Sequence, residues 1–402
     1  MLQAGNLNML EKIGISGLKT KDYGFKGELF TKEEDFIVQE IEDDGQILSI
    51  DTISHDSLED QKDFLTFTLV KKGLSTQEAV KQISRANHLN IKRIAANGNK
   101  DKNAITAQRI SIFRAKPEAI KKEYQRMFLK DFVFSEKPCR IGALYGNRFT
   151  VIARNFEGSD EKLEEAKNDL TKGIQNFYGP QRFGSSALNI EVSRAIIARD
   201  FKKAVYLLCL EDRIESENSS QARLMLKNIF SKFILDDAEI DVKAAESALQ
   251  GIPYFMFSEK EILSTLLKNR HDYVGALRLM PKYFRLLILQ SYQSYLFNRV
   301  LSSFESVEEI PESIPAIGYD MHIGESKAYE MIRRVMEQEG IESLDQLKIA
   351  QIPEASLKTF EREGLMKPEA LEFKRDGKDL IISFSLRKGS YATVLLMKIF
   401  DL

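Results

Sequence analysis

The first half of the chain interleaves stretches of alternating apolar and polar positions with stretches where apolar positions recur every three to four residues. Phe64–Val70 (FLTFTLV) alternates and is rich in aromatic and β-branched residues, which predicts a strand. In Ser75–Asn87 the residues Ala79, Val80 and Ile83 fall at helical spacing behind the capping types Ser75 and Thr76, which predicts a helix. Ile91–Ala96 is a short apolar run that ends in Asn97-Gly98-Asn99, a turn signal. Arg109–Phe113 and Arg148–Ala153 predict strands. Pro117–Phe128, with Pro near its start, predicts a helix. So does Asp160–Phe177, where Leu163, Ala166 and Leu170 share a face.

The pattern changes after Gly184. From Ala187 to Gly364 it is mostly helical, with long runs at Ser193–Leu210 and Pro281–Leu301 and no strong strand alternation. Strand character returns at Glu372–Phe384 around Asp376-Gly377, a hairpin signal. Tyr391–Ile399 is apolar and reads as strand or helix. The predicted class is α+β without a βαβ repeat. A sheet domain of residues 1–186 plus 365–402 is interrupted by a helical insertion, 187–364. A length of 402 residues suits two or three domains.

Composition narrows the setting. With 43% hydrophobic and 29% charged residues, the chain is of ordinary globular type. The longest apolar run, Ala204–Leu210, is far short of the roughly 18 residues of a membrane span. Two cysteines, Cys139 and Cys209, allow one disulfide at most and no thiol zinc cluster. The N-terminus lacks the basic-then-apolar order of a signal peptide, so a reducing, cytoplasmic setting is expected.

Charge is segregated beneath a net −2. Residues 33–60 hold 11 Asp or Glu and no Lys or Arg. Residues 85–155 hold 16 Lys or Arg against 5 Asp or Glu, a balance of +11. Each block taken alone can be a solvated face. The basic one, with aromatics interleaved, also suits a polyanion. A distant acidic block does not cancel a local field that is screened within about 8–10 Å.

Several chemistries find no support. Gly14-Ile-Ser-Gly17-Leu-Lys19-Thr20 has two residues between its glycines where a phosphate loop has four. There is no HExxH, GxGxxG or GxSxG, and the four histidines are scattered, so neither a metal nor a nucleotide cofactor is implied. Three stretches stand out. In Asn97–Gln108 (NGNKDKNAITAQ), Asp101 sits between Lys100 and Lys102, and adjacent cations favour the carboxylate form. Taken alone, a solvated Asx-type turn is the better account of this stretch, since turns rich in Asn, Asp and Gly are routine. Gly146-Asn147-Arg148-Phe149 leads into a strand, and can be a turn followed by a core Phe. Asn176–Gly184 (NFYGPQRFG) is a structured loop in which Arg182 suits phosphate, or a packed domain joint.

Taken in order, these segments resemble the TruD-type tRNA pseudouridine synthases. Glu34-Asp35-Phe36-Ile-Val-Gln-Glu40 is similar to the family's PEDFxVxE element. Gly98–Gln108 is similar to GxKDxxAxTxQ, and Gly142–Phe149 to GxxxGNxF. Asn176–Gly184 is similar to NYFGxQRFG, and Lys388–Leu396 to a C-terminal GSYAT strand. Gln290–Asn298 resembles a helix of the family's insertion. The likeness spans about residues 25–400. Glu33 stands where the family has Pro, and Lys388 follows Arg387 where Pro is frequent.

The resemblance implies a pseudouridine synthase sheet domain, mixed or antiparallel, with a helical TRUD insertion. It implies isomerisation of uridine in tRNA, at uridine 13 of the D-arm, with no cofactor or metal. Other tRNA positions, other RNAs, or an RNA-binding protein or chaperone of the same fold without turnover are the alternatives. Asp101 would be the catalytic carboxylate, attacking ribose or acting through a glycal-type intermediate. Phe149 and Phe36 would line the base pocket. Asn147, able to donate and accept, would match a uracil edge. Arg140 and Arg182 would contact phosphate or serve structure. In an extended segment Lys100 and Asp101 point to opposite sides, so Lys100 would serve the RNA backbone. The basic block would track tRNA phosphates, with the insertion forming the other wall of a cleft.

Overall fold

The computed structural model describes residues 7–16, 21, 23–184 and 186–400. The end of the Gly14–Thr20 stretch therefore lies outside the described residues. The chain divides into two compact units. Among the described residues, one comprises 21, 23–174 and 366–400, and the other 7–16, 175–184 and 186–365.

The first unit is α+β and is built on a mixed sheet. Its strands are β1 (Phe36–Ile41), β2 (Phe64–Lys72), β3 (Ile105–Phe113), β4 (Met127–Ser135), β5 (Gly146–Glu157), β6 (Glu369–Asp376) and β7 (Asp379–Arg387). They hydrogen-bond in the order β6-β7-β5-β1-β3-β2-β4. Only the β1–β3 pair in this series is parallel. Short strands Lys26–Glu28 and Ile94–Ala96 add to β5 and β3.

Alternation places Leu65, Phe67 and Leu69 of β2 and Ile110 and Ile112 of β3 on one face, against Ala79 and Ile83 of helix α1 (Thr76–Ala86). Val70 and Ala107 face the other way, against Leu48. Helix α1 begins in a capping box: the Ser75 hydroxyl accepts from the Glu78 amide, and the Glu78 carboxylate accepts from the Ser75 amide.

Several sequence expectations are corrected here. Pro117–Phe128 is not a helix. A 3₁₀ turn at Pro117–Ala119 gives way to an extended chain that becomes β4 at Met127. There Met127, Leu129 and Phe132 are buried against the α1 core, and tertiary burial overrides the local pattern. Helix α2 (Asp160–Lys172) stops five residues before Phe177, at Gly173 with φ +118°. The apolar end of the chain is a helix at Ala392–Phe400, so the GSYAT segment is a turn that leads into a helix and not a strand.

The second unit is mostly helical. Ser193–Leu210 is not one helix but parts of two, α3 (Leu188–Ile197) and α4 (Phe201–Leu210), broken where Arg199 takes φ +62°. A small two-stranded antiparallel sheet, Ser313–Ala316 with Phe360–Glu363, lies where no strand was expected. The long helix α5 (Lys282–Ser302) carries the buried polar residues Ser291, Gln293, Ser294 and Asn298.

Asn298 explains two departures from the expected domain limits. Its Nδ2 donates to the carbonyls of Ile13 (2.9 Å) and Tyr178 (3.1 Å), and its Oδ1 accepts from the Tyr178 amide (2.8 Å). Residues 7–16 and 175–184, expected in the sheet domain, are thereby fastened to α5 of the helical unit. No helix among the described residues is long and apolar enough to cross a membrane.

Candidate active site

The strand registers place two of the expected site residues, Phe149 and Asn147, in neighbouring rows on one face of the sheet. One row runs Phe384, Phe149, Val38, Thr106, Lys71 across β7, β5, β1, β3 and β2. The next holds Leu386, Asn147 and Glu40. Phe149 is stacked between Phe36 (centroids 6.1 Å apart) and Phe384 (5.3 Å), and all three are buried. Gly146 permits this close packing, because a Cβ there would lie 2.2 Å from the Leu386 carbonyl oxygen.

Glu40 is 1% exposed. Its carboxylate accepts from the Arg109 amide at 2.8 Å and pairs with the Lys100 ammonium at 3.2 Å. Burial pushes its pKa up, while Lys100, the Arg109 amide and Asn97 pull against that rise. The Lys100 ammonium also donates to the Asn147 carbonyl oxygen. Two corrections follow. Lys100 is not presented to an RNA backbone, because its side chain is turned inward and is 9% exposed. Asn147 has its acceptor engaged, which leaves its N–H donors for a ligand.

Asp101 lies on the loop that leads into β3, and it is exposed. Several bonds pin this loop. The Gln108 side-chain Nε2 donates to the Gly98 carbonyl (3.1 Å), and the Lys100 backbone amide donates to the Thr76 hydroxyl (2.9 Å). Thr76 in turn donates to Gln108 (2.8 Å), and the Gly73 amide donates to the Ala104 carbonyl (3.2 Å). The Lys71 ammonium donates to the carbonyls of Leu74 and Asp101 (2.7 and 2.9 Å). Lys102, the other sequence neighbour, reaches out to Glu78 at 3.0 Å. The two lysines beside Asp101 in sequence thus serve other carboxylates.

Arg140 is exposed, and its amide donates to Asn97 Oδ1 (3.2 Å). Asn97 is buried, and its carbonyl takes the Gly142 amide. Lys388, which departs from the family pattern, donates to the Gly142 carbonyl at 3.0 Å and steadies the same turn. Arg182 belongs to the helical unit. Its guanidinium binds Ser294 and Gln290 of α5 and lies 5.8 Å from the centroid of the Tyr178 ring.

Sequence reasoning passed over Lys71, Glu40, Asn97 and Phe384. Lys71 and Glu40 had a signal. Each continues an inward-facing register, Leu65-Phe67-Leu69-Lys71 and Phe36-Val38-Glu40, with a charge where an apolar residue is expected.

The acidic stretch also finds its place. Glu33 pairs with Arg126, Asp35 with Arg154 (2.6 Å), Glu42 with Arg109 (2.7 Å), Asp51 with Lys130 (2.8 Å) and Asp56 with Lys122 (2.8 Å). With Glu40–Lys100, six basic residues of the 85–155 block are held by the 33–60 stretch. Burial alone would raise the pKa of Asp35, but Arg154, Thr31 and the Lys32 amide bring it below the usual carboxylate range. Burial pushes the Cys139 thiol up to about 11, which makes it a poor nucleophile.

An exposed carboxylate on a pinned loop, an aromatic stack and an amide held by Lys100, all on one mixed sheet, coincide with the segments that resemble the class of RNA pseudouridine synthases. The crystal structure of a TruD protein from Methanosarcina mazei matches 98% of this chain and 97% of its own, with a TM-score of 0.70 and 26% identity. The tRNA pseudouridine synthase D (TruD) family profile matches residues 12–305 and 306–399, and the chain belongs to that family. A relative from Methanocaldococcus jannaschii, named probable tRNA pseudouridine synthase D 1, is 29% identical over 92% of this chain and 94% of its own. One from Methanopyrus kandleri, named probable tRNA pseudouridine synthase D, is 29% identical over 83% of this chain and 84% of its own.

Proposed function

We propose that this protein isomerises uridine to pseudouridine in tRNA, at uridine 13 of the D-arm, with Asp101 as the catalytic carboxylate. The observation that carries the reading is the pairing of a solvent-facing Asp101 carboxylate with a loop backbone tied down on both sides. A carboxylate can act on a ribose only if it is reachable, and it acts efficiently only if it is pre-positioned.

The reaction breaks the N1–C1′ bond and forms a C5–C1′ bond. C5 loses a proton and N1 gains one, so no electrons leave the uridine. Asp101 either attacks ribose or acts through a glycal-type intermediate. The base must first leave its stack, at a cost of a few kcal/mol. The Asn147 N–H groups would offset part of that cost by donating to a uracil carbonyl, with Phe149 as the wall beside the base. Exposed Arg140 and the exposed cations Lys81, Arg85 and Lys92 around α1 would meet phosphates. A tRNA substrate and two free cysteines suit a reducing cytoplasm.

Unmodified tRNA transcripts are incubated with wild type and with Asp101→Ala, then mapped by chemical labelling and primer extension. A stop at uridine 13 with wild type alone supports the whole reading. A wild-type stop elsewhere overturns the position but keeps the chemistry. Bound tRNA with no stop from either protein points to an RNA-binding role without turnover. Stops from both proteins remove Asp101 from catalysis.

A further inference from the structure

We propose that Lys71 is a positioning residue for Asp101, its buried ammonium fastening the backbone that presents the catalytic carboxylate. This rests on the role given to Asp101 above. Lys71 is 1% exposed. Its Nζ faces three carbonyl oxygens, those of Leu74 (2.7 Å), Asp101 (2.9 Å) and Lys100 (3.4 Å). An ammonium has three protons to give, and the acceptors come from both sides of the site: one from the lead into α1, two from the loop.

A leucine or methionine would extend the apolar row of Leu65, Phe67 and Leu69 more cheaply, because a buried charge costs free energy unless its surroundings compensate it. What the lysine adds is convergence, drawing segments about 30 residues apart onto one nitrogen. Gln108 and Thr76 hold Gly98 and Lys100, and Gly73 holds Ala104. The hydrogen bond that reaches Asp101 itself comes from Lys71.

Charge state enters through the same geometry. Burial pushes the Lys71 pKa down to about 8, with Lys100 acting in the same direction, while Asp101 from the loop and Glu78 from α1 oppose the shift. Above that pH a neutral amine keeps two donors for three acceptors, and the loop loosens. For this group the unfolded chain binds more protons than the folded one between about 8 and the ordinary lysine value near 10.4. Its contribution to stability therefore rises with pH in that window. An alkaline loss of rate caused by Lys71 is thus not unfolding. Burial also brings Lys398, in the C-terminal helix, to about 8, so a variant is needed to assign the effect.

The test follows single-turnover isomerisation of a tRNA transcript from pH 6.5 to 9.5, with wild type and Lys71→Met, alongside hydrogen exchange of the 98–104 segment. Wild type should lose rate above about pH 8. Lys71→Met should react about 100-fold more slowly at neutral pH, the scale of a 1 Å misplacement. Its tRNA affinity should stay within about twofold, its rate should show no alkaline limb, and its loop should exchange faster. A variant that keeps the wild-type rate, keeps the limb, or leaves loop exchange unchanged overturns the proposal. If the variant does not fold, wild-type loop exchange decides: corrected for intrinsic pH dependence, it must rise across pH 8 relative to β2. If wild type converts no uridine, the reading of Asp101 falls, and the exchange data still decide whether Lys71 holds the loop.

Discussion

Glu40, Lys100 and Asn147 form a chain in which each group depends on the last. Removing the ammonium leaves a carboxylate buried without its cation, a loss of about 3–5 kcal/mol. Lys100→Met should therefore lower the stability of the sheet unit by that amount, read as a shift in its denaturation midpoint. Glu40→Gln combined with Lys100→Met should recover part of it, because the buried charge goes with its partner. If Lys100→Met melts with wild type, the pair is not the anchor described here. Asp101, Asn147 and Phe149 stood out as candidates because each sits in a distinctive short stretch. Lys100 was legible as a residue but not in its direction. Its expected partner was solvent-side RNA, and Glu40, 60 residues upstream, becomes a neighbour only when β1 and β3 pair in parallel.

Among the elements, those with strong local signals formed as read. Helix α1 has its cap, its apolar spacing and its end within thirteen residues. Ser75→Ala should cost about 1 kcal/mol, measured by chemical denaturation. The Glu78 carboxylate, bonded by the Ser75 amide, by Lys102 and by the Ser75 hydroxyl, titrates at about 2. A lowered carboxylate pKa contributes stability above its ordinary value and loses it as pH falls through the folded one. The cap should therefore weaken between about pH 4.3 and 2, and Glu78→Gln, which removes the titrating group, should flatten that acid limb. If the variant keeps the limb, the box is not its source. The missed elements are those whose cause is distant. Residues 117–135 carry no local sign that Met127, Leu129 and Phe132 belong to a strand over α1. Nothing near Arg199 announces its left-handed φ.

The whole molecule revises the electrostatic picture. The +11 block predicted a broad polyanion surface, yet six of its cations are engaged by the acidic stretch. The charge available to RNA is correspondingly smaller and is concentrated on exposed residues such as Lys81, Arg85, Lys92 and Arg140. Affinity for tRNA should still fall with salt. Each phosphate contact contributes about 0.7–0.9 to the log–log slope. Arg85→Glu with Lys92→Glu should reduce the slope by about 1–2 and leave the single-turnover rate at saturation unchanged. An unchanged slope would move the RNA surface elsewhere. The α+β class and the presence of an insertion were legible from the change of period after Gly184. The limits of the units were not, because Asn298 captures its two segments from 120 and 285 residues away.

Phe384 closes one side of the aromatic stack, and it is made long after Phe149. Between Ile174 and Met366 the ribosome must first deliver residues 175–365 of the helical unit. At about 5–20 residues per second that is a delay of roughly 10–40 s. Throughout it β5 lacks β7, and one face of Phe149 lies bare on a growing chain. A polypeptide released early would hold Asp101, Asn147 and Lys71 and yet present no finished pocket to any tRNA. The stack around Phe149 is thus complete only in a chain translated to its last strands.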